Sequence, residues 1–495
     1  MPELKASQLV TGVVTGVAKT KTKQFTVGAT AVGVAFAALV AVATGPWDSS
    51  GQRKAEAHRA ASQETGGGAD HGRTSAGAPS AAPSAPAVLA APGASVPGPT
   101  KRALADVLDP LLRDSALGAH RTAAVVDAVT GRKLYGKSAG DALTPASTTK
   151  LATAVAALTA AGPDHRIATR TVLEKDTGGS GELILVGGGD PTLTAREKNP
   201  YDAASLRTLA DRTAASLKAA GTTEVTLSYD TSLYSGPALH PIGVNDNLAQ
   251  VSALMADEAR TDDSHSGPAP RAADPAASAA GKFAGLLHDR GIRTKGDPGP
   301  SKASGQAEDV AEVESPPLSA LVERMLTNSD NDIAEALARQ AAIAADESHD
   351  FDGAGAAVKK ELKKLGLPLS GAHFSDGSGL DRTDKASADL LTALLAKAAD
   401  PAVPQLRSLL TGLPVAGFTG TLAHRYEDSA DASGTGLVRA KTGTLTGVNT
   451  LAGTVVDADG RLLVFAFMTE GAPAPDAAVA ALDRLASSVA NCGCR

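Results

Sequence analysis

The chain has 495 residues, a formal net charge of −7, 20% charged residues, 43% hydrophobic residues and only 3% aromatic ones. That is apolar material for roughly two to four domains, which excludes wholesale disorder, and the acidic balance argues against a nucleic-acid partner, which needs a basic footprint. The two cysteines, Cys492 and Cys494, sit at the extreme C-terminus and no H-E-x-x-H occurs, so a disulfide framework, a thiolate zinc site and a zincin-type metal site are excluded from the folded body.

In chain order, residues 1–24 carry Lys5, Lys19, Lys21 and Lys23 against a single acid, Glu3. Phe25 to Trp47 follows as a 23-residue run without charge. About 20 apolar residues span a bilayer, and the flanking lysines keep the N-terminal tail in the cytoplasm. The run reads as a transmembrane anchor, or, because Ala41-Val42-Ala43 resembles a cleavage site, as a signal peptide. Either way the body is expected outside the cytoplasm, held to the cell membrane or released. Residues 48–100 are poor in large apolar groups and rich in Ala, Pro, Ser and Gly, the composition of a linker.

Folded sequence is expected from Lys101. Ala105–Leu117 predicts a helix, and Thr122–Asp127 with Lys133–Tyr135 a hairpin turning at Thr130-Gly131. Ser147–Ala161 is apolar almost all round and stops at Gly162-Pro163, which predicts a buried helix. Leu183–Val186 and Val225–Tyr229 predict strands, Ala203–Ala220 and Ala276–Arg290 helices, and Asp257–Asp274 a polar loop. Leu318–Leu326 and Asp332–Ala345 read as two helices around a short polar break. Strands are predicted at Leu437–Lys441, Thr450–Val456 and Leu462–Thr469, then a helix from Pro475 to about Ser488. Cys492-Gly493-Cys494 reads as an exposed tail, with an intermolecular or strained small-ring disulfide as the alternatives.

Three short motifs carry chemistry. In Ser147-Thr148-Thr149-Lys150 the i, i+3 spacing puts Lys150 beside the Ser147 hydroxyl. At a helix start the unpaired N–H groups and positive dipole end favour a nucleophile and its oxyanion. Burial and a nearby cation would lower the Lys150 pKa enough for a base. Ser329-Asp330-Asn331 falls in the interhelical break, where capping alone would explain it. Lys441-Thr442-Gly443-Thr444 ends a β-branched strand; the cation and hydroxyls suit a carboxylate, and Gly443 leaves room for a substrate backbone. Alone, each motif also has a plain structural explanation.

Together and in this order the motifs resemble those of the penicillin-interacting serine acyltransferases. The 182 residues from Ser147 to Ser329 point to an insertion, whereas the 112 from Ser329 to Lys441 need none. The chain thus resembles the class C low-molecular-mass penicillin-binding proteins, the D-Ala-D-Ala carboxypeptidase/endopeptidase family. Gly187-Gly188-Gly189-Asp190-Pro191-Thr192-Leu193 and Ser375-Asp376-Gly377-Ser378-Gly379-Leu380 are similar to recurrent stretches of that family.

The resemblance implies an α+β fold: a transpeptidase-like domain (101–165 and 313–495) with an antiparallel sheet flanked by helices and an all-helical region, interrupted by a smaller inserted lobe (166–312). It implies that Ser147 attacks the D-Ala-D-Ala bond of a peptidoglycan stem peptide, with Lys150 as base and Ser329 relaying a proton. Asn331 then holds the acyl-side amide, and Lys441, Thr442 and Thr444 the terminal carboxylate. The N–H groups of Ser147 and Thr444 form the oxyanion hole, no cofactor is needed, and β-lactams acylate Ser147. Two other readings stay open: a serine β-lactamase, for which Glu335 and Asp376 are merely near the motifs in sequence, and a wall-binding or β-lactam-sensing protein without catalysis.

Overall fold

The computed structural model describes residues 98–174, 181–199, 201–427 and 432–493. The expected tail, anchor or signal segment and most of the linker lie outside the described residues. Among those described, no helix is long and apolar enough to cross a membrane.

Helix α1 (Lys101–Leu111) starts at an N-cap threonine, Thr100, whose hydroxyl accepts from Ala103 N–H, and ends six residues before the Leu117 expected of it. Strands β1 (His120–Asp127) and β2 (Lys133–Lys137) form the expected hairpin. After the short β3 (Ala142–Leu143) comes α2 (Thr149–Ala160), where Thr149 to Leu158 are all buried. The insert contributes β4 (Ala168–Glu174), β5 (Glu182–Val186), α3 (Leu206–Ala219), β6 (Glu224–Asp230), α4 (Pro275–Asp289), β7 (Arg293–Thr294), β8 (Gly299–Pro300) and β9 (Glu308–Glu314). The chain then returns through α5 (Leu318–Asn328), α6 (Asn331–Ala344), α7 (Phe351–Lys364), β10 (Ala386–Ser387), α8 (Ala388–Ala399) and α9 (Arg407–Thr411). It closes with β11 (Arg439–Leu445), β12 (Val448–Val456), β13 (Leu462–Glu470) and α10 (Pro475–Ala490).

The main sheet runs β11-β12-β13-β1-β2, antiparallel throughout. Side chains alternate between its faces as the pleat requires. Ala124, Val126, Val464, Ala466 and Met468 face a helical core built from α2 and α5 to α8. Ala123, Val125, Leu463, Phe465 and Phe467 face α1 and α10. The small residues point toward the side where α8 crosses closely, and the phenylalanines fill the other. Cys492 joins this second core at 3% exposure and is not free, which corrects the exposed-tail reading for that residue; Cys494 lies outside the described residues.

The insert forms a mixed sheet, β7-β6-β5-β4-β9 with β8 against β6, and its own apolar core under α3 and α4. Between β6 and α4 a long arm, residues 231–273, leaves this lobe and lies against α5, α6 and the segment before β10. Long connections without regular structure are usually functional.

Candidate active site

Ser147 sits in a sharp turn. Ala146 has φ 47°, a left-handed conformation that costs a non-glycine residue about 1–3 kcal/mol. Ala146–Thr148 then form a 3-10 turn that leads into α2, so Ser147 precedes the α-helix rather than lying in its first turn. The Pro145 carbonyl anchors this turn, accepting from Thr148 Oγ1 (2.7 Å) and from Thr450 Oγ1 of β12 (2.8 Å). One helical turn on, Lys150 is fully buried and donates to Ser147 Oγ at 3.1 Å.

The second motif joins α5 to α6. Asp330 caps α6, its carboxylate accepting from Ile333 N–H at 3.0 Å. The capping role expected of this motif therefore belongs to its middle residue. Ser329, at φ 59°, ends α5 in the left-handed conformation. Its Oγ accepts from Lys441 Nζ at 2.8 Å, and Asn331 Oδ1 accepts from Lys150 Nζ at 2.7 Å.

The third motif lies on β11, the edge strand of the main sheet. Lys441 and Gly443 are buried, whereas Thr442 is half-buried with its hydroxyl on Thr421 Oγ1 (2.9 Å), and Thr444 is exposed. Gly443 fits the sequence for a further reason. A Cβ there would lie 2.1 Å from Thr450 Oγ1, 2.7 Å from Pro145 O and 3.1 Å from Ser147 N. The missing side chain lets β11 press against the Ala146–Thr148 turn of the protein itself, bringing the strand backbone next to the Ser147 amide.

Two hydrogen-bonded sets thus adjoin at the helix junction, Lys150 with Ser147 and Asn331, and Lys441 with Ser329, with Gly443 against Ser147 and Thr442 and Thr444 on the same strand. Both amines are driven toward the neutral form. Burial lowers the Lys150 pKa to about 8, opposed by the carboxylates of Asp376, Glu335, Asp330 and Asp332. Lys441 is pushed well below its ordinary value, first by burial and then by repulsion from Lys150 and Arg425. Burial is thus the leading cause for both amines, with their mutual repulsion added to it.

Several contributors are absent from the three motifs. The third acceptor of Lys150 is a backbone carbonyl, Ser378 O, at 2.7 Å. Its loop, Ser375–Asp381, is held by two buried carboxylates. Glu335 accepts from Gly377 and Ser378 N–H, and Asp376 from Gly379 and Asp381 N–H. From the arm, Asn247 O accepts from Asn331 Nδ2 at 2.9 Å and Ala249 N–H donates to Asp332 at 3.0 Å. Arg271 pairs with Asp332, while Glu258 pairs with Arg260 and Arg324. The segment expected as a plain polar loop at 257–274 thus packs buried charge against the second motif. Its turn at Asp257-Glu258-Ala259 has three consecutive left-handed residues.

A serine hydrogen-bonded to a buried lysine, beside an antiparallel sheet with an all-helical flank, matches the arrangement of the penicillin-interacting serine acyl-transfer enzymes. Residues 104–267 and 261–489 match the D-Ala-D-Ala carboxypeptidase 3 (S13) family, and the chain belongs to it. It is 35% identical over 439 residues to carboxypeptidase DacB of Mycolicibacterium smegmatis, covering 86% of this chain and 92% of that protein. It is 31% identical to the D-alanyl-D-alanine carboxypeptidase of an Actinomadura species, covering 75% and 82%. Penicillin-binding protein 4 of Haemophilus influenzae shares the fold, with a TM-score of 0.63 at 22% identity over 77% of this chain and 97% of that one. That protein has also been solved in complex with a β-lactam. The chain is accordingly a D-Ala-D-Ala carboxypeptidase.

Proposed function

We propose that Ser147 is the nucleophile and Lys150 its base, that the substrate is a peptidoglycan stem peptide, and that β-lactams acylate the same serine. The observation that carries this is the 3.1 Å contact between Ser147 Oγ and a fully buried lysine whose pKa burial has lowered to about 8. The two amines are linked through the serines and the substrate. A terminal carboxylate bound beside Lys441, Thr442 and Thr444 favours the charged form of Lys441. The proton that the pair holds then resides on Lys441, and its charge disfavours protonation of Lys150, which is left free to accept the Ser147 proton.

Ser147 Oγ attacks the carbonyl between the two D-alanines, and the amides of Ser147 and Thr444 hold the oxyanion. Ser329, on Lys441, passes a proton to the leaving amine as the C–N bond breaks, and water then cleaves the Ser147 ester. A D-centred crosslink placed in the groove would undergo the same steps, giving endopeptidase activity. Asn331 orients Lys150 through Oδ1; its Nδ2 already donates to Asn247 O, so an acyl-side substrate amide would use the second N–H. Glu335 and Asp376 are occupied by loop amides, which speaks against their activating a deacylating water as in a β-lactamase. Residues 25–47 would carry the domain out of the cytoplasm, where stem peptides lie. The test is intact mass with and without penicillin, alongside D-alanine release from a D-Ala-D-Ala peptide. A stoichiometric adduct on Ser147 with turnover is expected. An adduct on another residue, or none, would overturn the assignment.

A further inference from the structure

Of the three acceptors around Lys150 Nζ, the two that are not the nucleophile are both braced by the arm of the insert. The Asn331 amide is fixed by Asn247 O, which decides that Oδ1 faces Lys150. The Ser378 carbonyl belongs to a loop whose Asp376 meets His240 of the arm at 2.9 Å, with both side chains buried at 2% exposure or less.

We propose that His240 is a positioning residue for acylation: through Asp376 it holds the Ser375–Asp381 loop so that the Ser378 carbonyl keeps Lys150 aimed at Ser147. The proposal rests on the reading of Lys150 as the base.

The geometry of the histidine is specific. Ile242 N–H donates to His240 Nδ1 at 3.2 Å, so Nδ1 is the acceptor and Nε2 carries the proton that is donated to Asp376 Oδ2. Phe351 meets the imidazole edge-on at 5.3 Å between ring centroids and fixes its plane. The loop has little slack beneath the nucleophile. Gly379, at φ +82°, lies so close that a Cβ would come within 1.9 Å of Ala146 O. Released from His240, Asp376 would turn toward other donors and carry with it the amides of Gly379, which shares a peptide unit with the Ser378 carbonyl, and of Asp381 just beyond. Thr153 Oγ1, on the Gly377 carbonyl, and Glu335 would still hold the other end. The expected result is a misaimed amine in a folded protein.

The experiment uses the full chain with His240→Ala, His240→Gln and His240→Asn, and Lys150→Ala as reference. The readouts are penicillin acylation rate, kcat and KM for a D-Ala-D-Ala peptide, and thermal midpoint. His240→Ala should slow acylation and kcat by about 10- to 100-fold, the scale of a misplacement of about 1 Å, with KM little changed. The Gln amide N–H stands in for Nε2–H toward Asp376 and should recover most of the rate. Asn is too short to reach Asp376 and keeps only the Nδ1-like acceptor, so it should behave as Ala does; it supplies the contrast with Gln should His240→Ala not fold. Unchanged rates in His240→Ala and His240→Asn, or losses that follow the thermal midpoint with no recovery by Gln, overturn the proposal. Acylation retained by Lys150→Ala would instead overturn the base assignment, and the inference with it.

Discussion

The core of the insert, from Leu183 and Leu209 to Phe283 and Val313, is mainly apolar, and the buried hydroxyls of Thr171 and Thr213 within it pair with each other at 2.9 Å. Beneath Ser147, by contrast, the catalytic domain buries Lys150, Lys441, Glu335, Arg339, Asp376 and Asp384 at 1% exposure or less. The first arrangement follows mainly from the hydrophobic effect. The second works against it, since each charge taken from water costs several kcal/mol unless hydrogen bonds and partners offset it. Such a cluster is informative because the same burial that costs stability is what moves an amine toward neutrality. The two regions thus divide the work, with the apolar core stabilising its lobe and the charged floor setting proton affinities.

The sharpest test of this division is at Ser147, the proposed nucleophile. Ser147→Ala should abolish penicillin labelling and peptide hydrolysis while leaving the thermal midpoint within a few degrees, because the side chain removed is small and only half-buried. Covalent labelling that survives in this variant would place the nucleophile elsewhere.

Lys441→Ala probes the charged floor next. It removes the cation that a substrate carboxylate charges, so kcat should fall about 10²- to 10⁴-fold, the range of general acid–base contributions, and KM should rise. Lys150 must be neutral to act, and a neighbouring cation lowers its pKa. Losing that cation therefore raises the pKa in the bound complex, and the acidic limb of kcat should move up toward the value of about 8 that burial and the carboxylates set. A limb that stays in place, with the wild-type limb resolved, would show that Lys441 does not modulate the base.

Phe283→Ala breaks the other side of the comparison. Phe283 is fully buried in the core of the insert, and its truncation should cost about 3–5 kcal/mol of stability. Acylation measured well below the unfolding midpoint should stay within about threefold, since none of the groups around Lys150 is disturbed. A much larger loss of rate would mean that lobe packing itself controls the arm.

The convergence of the motif side chains was legible because each motif is local: four residues place Lys150 on Ser147, three place Ser329 and Asn331 at a helix junction, and four lie within β11, which runs on to Leu445 rather than ending at the expected Lys441. The regular elements with strong periodicity were legible too, including the two motif-bearing helices, the hairpin and the last two strands. The contacts of Ser378 and Asn247 were not, because both act through backbone carbonyls that any residue supplies. His240 and Asp376 are 136 residues apart, and neither stands in a pattern that announces the other. Helix α7 was missed for a local reason. It carries Gly353 and Gly355, weak helix formers, yet a Cβ at these positions would come within 1.8 Å of Ser348 O and 2.0 Å of Phe374 O. Strand β9, Glu308–Glu314, is so acidic that its edge position masked its pairing with β4.

A pH-dependent test lies at the rim of the charged floor and reads its cost directly. Asp384 is buried, accepting from Thr149 Oγ1 at 3.1 Å and from Ser375 N–H at 2.6 Å. Burial, and then the Asp376 carboxylate, raise its pKa to about 9. An unfolded aspartate titrates near ~3.9. Between these values the folded chain keeps a proton that the unfolded chain releases. The contribution of this site to stability is therefore full below the unfolded pKa and declines as pH rises through about 9, by at most about 1.4 kcal/mol per pH unit. Asparagine has nearly the same shape and no proton to lose, and it can keep both contacts, with its oxygen on Ser375 N–H and its amide on a rotated Thr149 hydroxyl. Asp384→Asn should thus gain on the wild type steadily from pH 5 to pH 8.5 in urea unfolding, whatever its offset at the acid end. Parallel stability curves would mean that Asp384 is ionised in the folded protein, and that the loop beneath Ser147 tolerates two adjacent buried carboxylates without holding a proton between them.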